Sequence, residues 1–393
     1  LVQQEAKMDL PSMHYFPSVD DAAIAASLAS WRAERPKMGV LALLPEAEKD
    51  NIKRLQSLCA QHQVVLVGAV FPALIERGEF RTQGVWLLRF DEMPDVALHE
   101  NLPRDAAGAA HVAQQIGGWI RAQINGDEQV TLFLLFDALV PNISTLLDEL
   151  YLQLANRVHY VGANAGSETF QPMPCLFDNT RTIQNGVLLM LLQPHLGAML
   201  AHGYAAPPRM ISATSTEGNR IRQIDWRPAF EVYQELVRTQ SGVEVTRENF
   251  YQHAVHFPFG IIRANHEVLV RIPVALEEDG SLFCVGEVPA NAVLTLLEAP
   301  KVDSQHTLQT LLKGLSQLHG DMQDSELLLF YCAGRRLHLG LEAATGELHQ
   351  LAQRALAQQI AGALSLGEIG SSLQWGYPLF HNATLVAMRW NKG

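Results

Sequence analysis

Near the C-terminus, residues 367–384 read GEIGSSLQWGYPLFHNAT. Glu368, His381 and Asn382 supply a carboxylate, an imidazole and an amide, with Trp375, Tyr377 and Phe380 set among them. Glycines let backbone approach a ligand closely. Aromatic rings bury apolar area while keeping a polar tip, and ligand pockets are apolar walls carrying a few oriented polar groups. The stretch therefore has the make-up of a pocket wall. The plain alternative is a closing hairpin, with Gly370 and Gly376 as turn residues and His381 bonded to local backbone.

A second set of reactive types lies upstream. Cys332 precedes Gly334, Arg335 and Arg336, and cations facing a thiol lower its pKa, which would suit a nucleophile, a haem thiolate or a redox sensor. Strand alternation puts Cys332 and Gly334 on one face and Arg335 on the other, so a buried cysteine at a strand end is the simpler reading. Arg271, within VLVRIPV, and Arg335 are placed to grip an anion, because guanidinium binds carboxylates in bidentate fashion. Their structural alternative is pairing with a surface carboxylate. Among fifteen histidines, His202 stands beside Gly203 at a strand end and His381 lies in the aromatic stretch. These two are the candidate metal ligands, although an individual histidine is more often a surface or core residue. His159, His195, His253 and His256 stay open.

Motifs for catalysis are missing. Glu368 with His381 as acid and base, and Cys332 as nucleophile, would be the enzyme reading, but no G-x-S-x-G elbow, HExxH or kinase signature accompanies them. The expectation is a protein that is not an enzyme. Cys59, Cys175, Cys284 and Cys332 form no CxxC pair, which speaks for reduced cytoplasmic thiols and excludes both a zinc knuckle and a CxxCH haem attachment. The VGANAG segment, with Gly162 and Gly166 around Asn164, offers amides that could meet an anion. It lacks the third glycine of a dinucleotide fingerprint and the ending of a Walker loop, so turn glycines are the better account.

Composition narrows the partners. A net charge of -12, from 41 acidic against 29 basic residues, argues against nucleic acid or an anionic membrane as the main partner. Apolar runs are strand-sized, which predicts no membrane span. At 393 residues the chain is too long for one ordinary core.

Taken in order, the chain alternates strands and helices. Asp20 to Ala33 predicts a helix with Ser18 as its cap; Met38 to Leu44, a helix over Glu48 to His62, and Val64 to Val70 predict strand, helix, strand. Arg81 to Asp91 and Val130 to Phe136 are further strands, and Ala106 to Ile124 and Ile143 to Asn156 are helices. Pro207 and Pro208 mark a break, after which Gly218 and Asn219 signal a hairpin. Later strands include Glu326 to Tyr331; Thr307 to Leu318 and Ala343 to Gln359 are expected helices. No repeat of about 20 to 50 residues is visible. The resulting expectation is a mixed α/β (α+β) protein: an arm and helix over 1–37, then two domains, 38–225 and 226–393, each a sheet flanked by helices. The ligand cleft is expected between or beside them.

Several segments in fixed order resemble one family, the FIST domain of bacterial sensory proteins. They are VGANAGSETF, the strand after Asn185-Gly186, His202-Gly203, ATSTEGNRIRQIDWRPAFEVY, FPFGI, VRIP, DGSL, FYCAGRR, Gly367-Glu368 and YPLFHNAT. The resemblance covers about 38–390, with 38–225 similar to the family's N-terminal domain and 226–393 to its C-terminal domain. It implies an intracellular, non-enzymatic ligand sensor. Stand-alone members similar to this chain, the nitric-oxide-sensing proteins (NosP), bind b-type haem non-covalently and regulate a separate histidine kinase, so haem is the implied cofactor and a sensor kinase the implied partner. A homodimer is compatible with such a protein. Arg271, Cys332, Arg335, Glu368, Tyr377, His381 and Asn382 are then the expected ligand contacts, and His381 or His202 the expected axial ligand. The alternative is a FIST sensor of a small metabolite such as an amino acid.

Overall fold

The computed structural model describes residues 11–124, 126, 128–264, 266–298, 303–373 and 376–390. Trp375 and most of the arm, 1–10, lie outside the described residues.

One order of elements occurs three times. The first unit runs β1 (Met13–Phe16), α1 (Asp21–Glu34), β2 (Gly39–Pro45), α2 (Ile52–Gln61), β3 (Val65–Phe71), a hairpin of β4 (Ala73–Glu76) and β5 (Glu79–Arg81), and β6 (Val85–Phe90). The second repeats it as β7 (Asp95–His99), α3 (Ala106–Gln123), β8 (Thr131–Asp137), α4 (Ile143–Leu154), β9 (His159–Ala165), β10 (Leu176–Asp178) with β11 (Thr182–Ile183), and β12 (Val187–Leu192).

The third unit opens with β13 (Ala198–Ala201) and is at once interrupted by an inserted lobe, 202–303. The lobe holds β14 (Ile211–Ser212), β15 (Ser215–Glu217), β16 (Arg220–Ile224), β17 (Arg227–Pro228), α5 (Ala229–Ser241), α6 (Phe250–Ala254), β18 (Phe259–Ile262), β19 (Val268–Arg271), β20 (Pro273–Leu276), β21 (Leu282–Cys284) and β22 (Val293–Leu296). The unit resumes with α7 (Ser304–His319), β23 (Glu326–Cys332), α8 (Ala333–Leu339), α9 (Leu341–Arg354), β24 (Gln359–Ser365), the hairpin β25 (Glu368–Gly370) and β26 (Leu379–His381), and β27 (Leu385–Trp390).

Each unit builds a parallel strand pair flanked by an antiparallel strand, and each lends its hairpin to a neighbour. The three six-stranded sheets are β1-β6-β2-β3-β10-β11, β7-β12-β8-β9-β25-β26 and β13-β27-β23-β24-β4-β5. The two halves expected from the sequence therefore share sheets, because β4 and β13 pair with late strands and β25 pairs with β9. The expected seam between 225 and 226 falls at the β16–β17 turn inside the lobe.

Local chemistry repeats with the topology. Asp20, Asp105 and Asp303 cap the first helix of each unit, their carboxylates accepting from Ala23, Gly108 and His306 at 3.0, 2.9 and 3.1 Å. Ser18, the expected cap, is displaced by Asp20. Each cap satisfies an otherwise orphaned amide. The fourth residue of the second parallel strand is glycine every time, in VGA, VGA and AGA (67–69, 161–163, 361–363). A Cβ on Gly68, Gly162 or Gly362 would run into the carbonyl oxygen of Ala42, Leu134 or Leu329 on the adjoining strand.

The three sheets turn one face toward a common core. Leu41 and Leu43, Phe133 and Leu135, and Leu328 and Phe330 meet there, and the Phe330 ring lies 5.5 Å from Phe71 and 6.0 Å from Phe133. Helices cover the opposite faces. The α3–α4 pair buries Ile116, Ile120, Leu147 and Leu150; α7 and α9 bury Leu311, Leu315, Leu348 and Leu351. At about 25 cal/mol per Å² of apolar surface these layers supply most of the folding free energy. The inserted lobe has its own core around Tyr233, Phe250 and Phe259. No helix among the described residues is long and apolar enough to cross a membrane.

Candidate functional site

Parallel strands present their carboxyl ends to ligands in open α/β sheets. In the third unit these ends are Cys332 and Ser365, paired across β23 and β24, and the inserted lobe folds over them. The result is a cavity of about 190 Å³. Its floor is Cys332, Leu366, Ile272 and Asn382, all buried. The walls come from α6 (Ala254, with Val255 following), β20 (Pro273, Val274) and α8 (Ala333, Gly334, Leu337). Glu168 and Phe170, after β9, complete the rim with Tyr251.

A polar nest lies under the floor. Glu368 is fully buried and accepts from the Ser365 hydroxyl at 2.5 Å and the Thr384 hydroxyl at 2.6 Å. Burial pushes its carboxyl up to about 7, although these bonds and one from Cys332 pull the other way. The Cys332 sulfur accepts the Ala383 amide at 3.0 Å. Burial first, and the Glu368 charge second, push the Cys332 thiol up. It is held protonated, the opposite of an activated nucleophile.

The upstream residues are spent on structure. Strand β23 ends at Cys332 and the chain turns into α8, so the strand alternation expected through Gly334 and Arg335 does not apply. Arg335 is buried against Glu347, with Nε at 2.8 Å and Nη2 at 2.6 Å from its oxygens, and Tyr331 donates to the same carboxylate at 2.7 Å. Its Nη1 donates to the His202 carbonyl at 2.6 Å. Arg271 is fully buried and donates to the carbonyls of Glu287, Val270 and Phe380 at 3.0, 3.2 and 2.5 Å. Burial lowers its pKa to about 10.

Cys332 and Asn382 line the cavity, and Glu368 supports Cys332 from below. Asn382 Oδ1 accepts the Ile272 amide at 3.2 Å and its Nδ2 donates to the His381 carbonyl at 3.1 Å. His381 faces Glu368 across β25 and β26, yet it is fully buried and neither ring nitrogen has a hydrogen-bond partner. Burial, with the charges of His202, Arg271 and Arg263, holds its pKa well below the usual histidine value. The carboxylate–imidazole relay of the enzyme reading is not assembled. His202 sits 6.4 Å away, ring to ring, and its Nδ1 accepts the Tyr204 amide at 3.0 Å. Burial lowers it to about 4. Tyr377 lies elsewhere, donating to Asp148 at 2.8 Å and packing 4.3 Å from the Tyr151 ring.

Two expectations about the VGANAG segment separate. Its backbone serves the sheets, with Asn164 N–H donating to Gly367 and Gly166 N–H to Val70, both at 2.8 Å; Gly166, at positive φ, follows the strand end, but Gly162 lies inside β9 and is no turn glycine. The Asn164 side chain is buried and both its polar atoms lack partners. Sequence reasoning missed the apolar walls and also Glu347. A signal for Glu347 was present: it stands in the buried stripe of α9 with Ala344, Leu348 and Leu351, where an unpaired carboxylate would be costly. Among the described residues, no group of three or more His, Cys, Asp or Glu side chains comes together to hold a metal ion.

Residues 40–227 match the family model of the FIST N domain, and residues 229–371 match that of the FIST C domain. No curated protein matches the chain.

Proposed function

Since the chain belongs to the FIST family, whose N and C domains are sensory domains of signal transduction responding to small ligands, we propose that the cavity beside Cys332 is its sensing site. The supporting observation is that segments from both matched domains meet there, Glu168 and Phe170 from the first and Ile272, Val274 and Cys332 from the second. Ligand in this position bridges the inserted lobe and the three-unit body, so occupancy changes how tightly they hold together. That is a means of passing a signal to a separate protein. A sensor histidine kinase is the proposed partner, on the family resemblance alone.

A small metabolite suits this cavity better than haem. Its volume of about 190 Å³ falls below the roughly 300–1,000 Å³ of ordinary ligand pockets. Neither candidate axial ligand lines it: His381 is enclosed, and the Nδ1 of His202 is engaged by Tyr204. The guanidinium groups that would receive propionates are committed to Glu347 and to backbone carbonyls. The residues lining this cavity do not fit haem. Titrating haem into the full chain tests this: no visible absorbance band should develop, and a band lost in His381→Ala or His202→Ala would restore the haem reading. For the sensing site itself, Val274→Phe, which projects into the cavity, should abolish any ligand-dependent change in partner kinase activity. A normal response in that variant would move the site elsewhere.

A further inference from the structure

The cavity has size and shape but almost no charge to offer. Of its lining residues Glu168 alone carries one, and Arg336 neutralises it with contacts of 2.5 and 2.7 Å to the two carboxylate oxygens. Arg335, next in the chain to the lining Gly334, is turned into its buried pair with Glu347. A carboxylate or ammonium entering here would leave water without meeting a free counter-charge among the described lining residues, and a buried ion needs one. The polar points that remain are neutral. Asn382 has Oδ1 occupied and one Nδ2 hydrogen engaged, which leaves a second amide hydrogen. Beside it the Cys332 sulfur already accepts the Ala383 amide and its thiol bonds to Glu368.

Volume sets the size class. A dry apolar cavity of about 150 Å³ takes a benzene ring, so about 190 Å³ takes one ring and a small substituent. The exposed Tyr251, Leu337 and Phe170, at 66%, 56% and 38% exposure, give the mouth an apolar lip that favours a molecule over a hydrated ion. We propose that the cavity binds a neutral, largely apolar small molecule about the size of a single aromatic ring, with one hydrogen-bond-accepting substituent. Amino acids and carboxylates fall outside this class. This assignment rests on the cavity being the sensing site.

Matched probes separate the two claims. Benzyl alcohol against benzoate, and acetophenone against phenylalanine, are titrated into the full chain by calorimetry and thermal shift, with wild type, Val274→Phe and Leu337→Ala in parallel. The expected result is that each neutral member binds at least about tenfold more tightly than its charged counterpart, that Val274→Phe removes this binding, and that Leu337→Ala, at the exposed lip, weakens it without unfolding the chain. If benzoate or phenylalanine binds as tightly as its neutral partner and Val274→Phe removes that binding, the ligand class is overturned while the sensing site stands. Binding unaffected by Val274→Phe, or binding of none of the four, overturns both.

Discussion

The second and third units carry nearly the same backbone to opposite ends. In both, a parallel strand pair finishes beside a turn that leads into the antiparallel strand, and in both the last residue of the first strand accepts an amide from that turn. Asp137 accepts from Asn185 at 2.6 Å in the second unit, and Cys332 accepts from Ala383 at 3.0 Å in the third. The hairpin residue opposite the alanine of each glycine triplet is Leu176 or Leu74 when it comes from the second or first unit, and both are fully buried in the common core. From the third unit it is Glu368, opposite Ala163. Only this junction has a long insertion folded over it. A repeated scaffold supplies rigidity three times, and the proposed binding cavity lies where one copy departs from the others.

The largest departure is the buried pair under α8. Glu347→Ala leaves Arg335 charged and buried, and removing one member of such a pair costs about 3–5 kcal/mol. The matching helix of the second unit buries leucines in that place, Leu146, Leu147 and Leu150. Converting the third unit to that chemistry, with Arg335→Met and Glu347→Leu together, should recover most of the loss in urea unfolding. A single variant losing less than about 1 kcal/mol would mean that the pair is solvated and the comparison misplaced.

Glu368 comes next. Its folded pKa is raised to about 7 from 4.5, so the folded state holds this proton more tightly than the unfolded chain. Its contribution is fully present below the unfolded value and is lost as pH rises through about 7, a swing of about 3 kcal/mol. Buried histidines act oppositely. His195 and His202, lowered to about 4, cost stability as pH falls from about 6.5 to about 4. The Glu368 part is isolated as the difference between wild type and Glu368→Gln. That difference should change by about 3 kcal/mol between pH 4.5 and 8; parallel stability curves would show that the carboxyl is not buried in solution.

Asp137 should matter less. Asp137→Ala removes charge-assisted bonds to the Asn185 and Leu139 amides, about 1.5–3 kcal/mol, and should leave ligand binding unchanged because the crevice beside Asp137, between Ala138, Gly166 and Met173, has no room for a ligand. A shift in affinity would erase the distinction between the junctions. Smallest of all, Leu337→Ala at the exposed lip should alter stability by no more than about 0.5 kcal/mol.

Much of this scaffold was legible in the sequence. The 3.6-residue spacing of Leu146, Leu147, Leu150 and Leu154 gave α4, and Gly218 with Asn219 gave the β15–β16 turn. Strand β24 was missed because QIAGALS is rich in alanine and glycine, residues that weaken strand propensity; it is a strand through its pairing with β23 and β4. The lending of hairpins between units was not legible, since pairings such as Glu368 with Ala163 leave no local trace. The candidate site was half legible. Cys332, Glu368 and Asn382 announced themselves by type, whereas Ile272, Val274 and Leu337 were ordinary apolar residues until the fold gathered them. Arg271 and Arg335 drew notice for a charge that the structure uses internally.

The central claim is that ligand acts at the third junction and not at the other two. Methyl-resolved NMR of the full chain during titration with benzyl alcohol reads all three at once. The account predicts shifts at the methyls of Ile272, Val274, Val285, Leu337 and Leu366, which line the cavity, with Leu74 and Leu176 at the sister positions unmoved. Shifts of equal size at Leu74 and Leu176, or an unmoved set around Cys332, would contradict it.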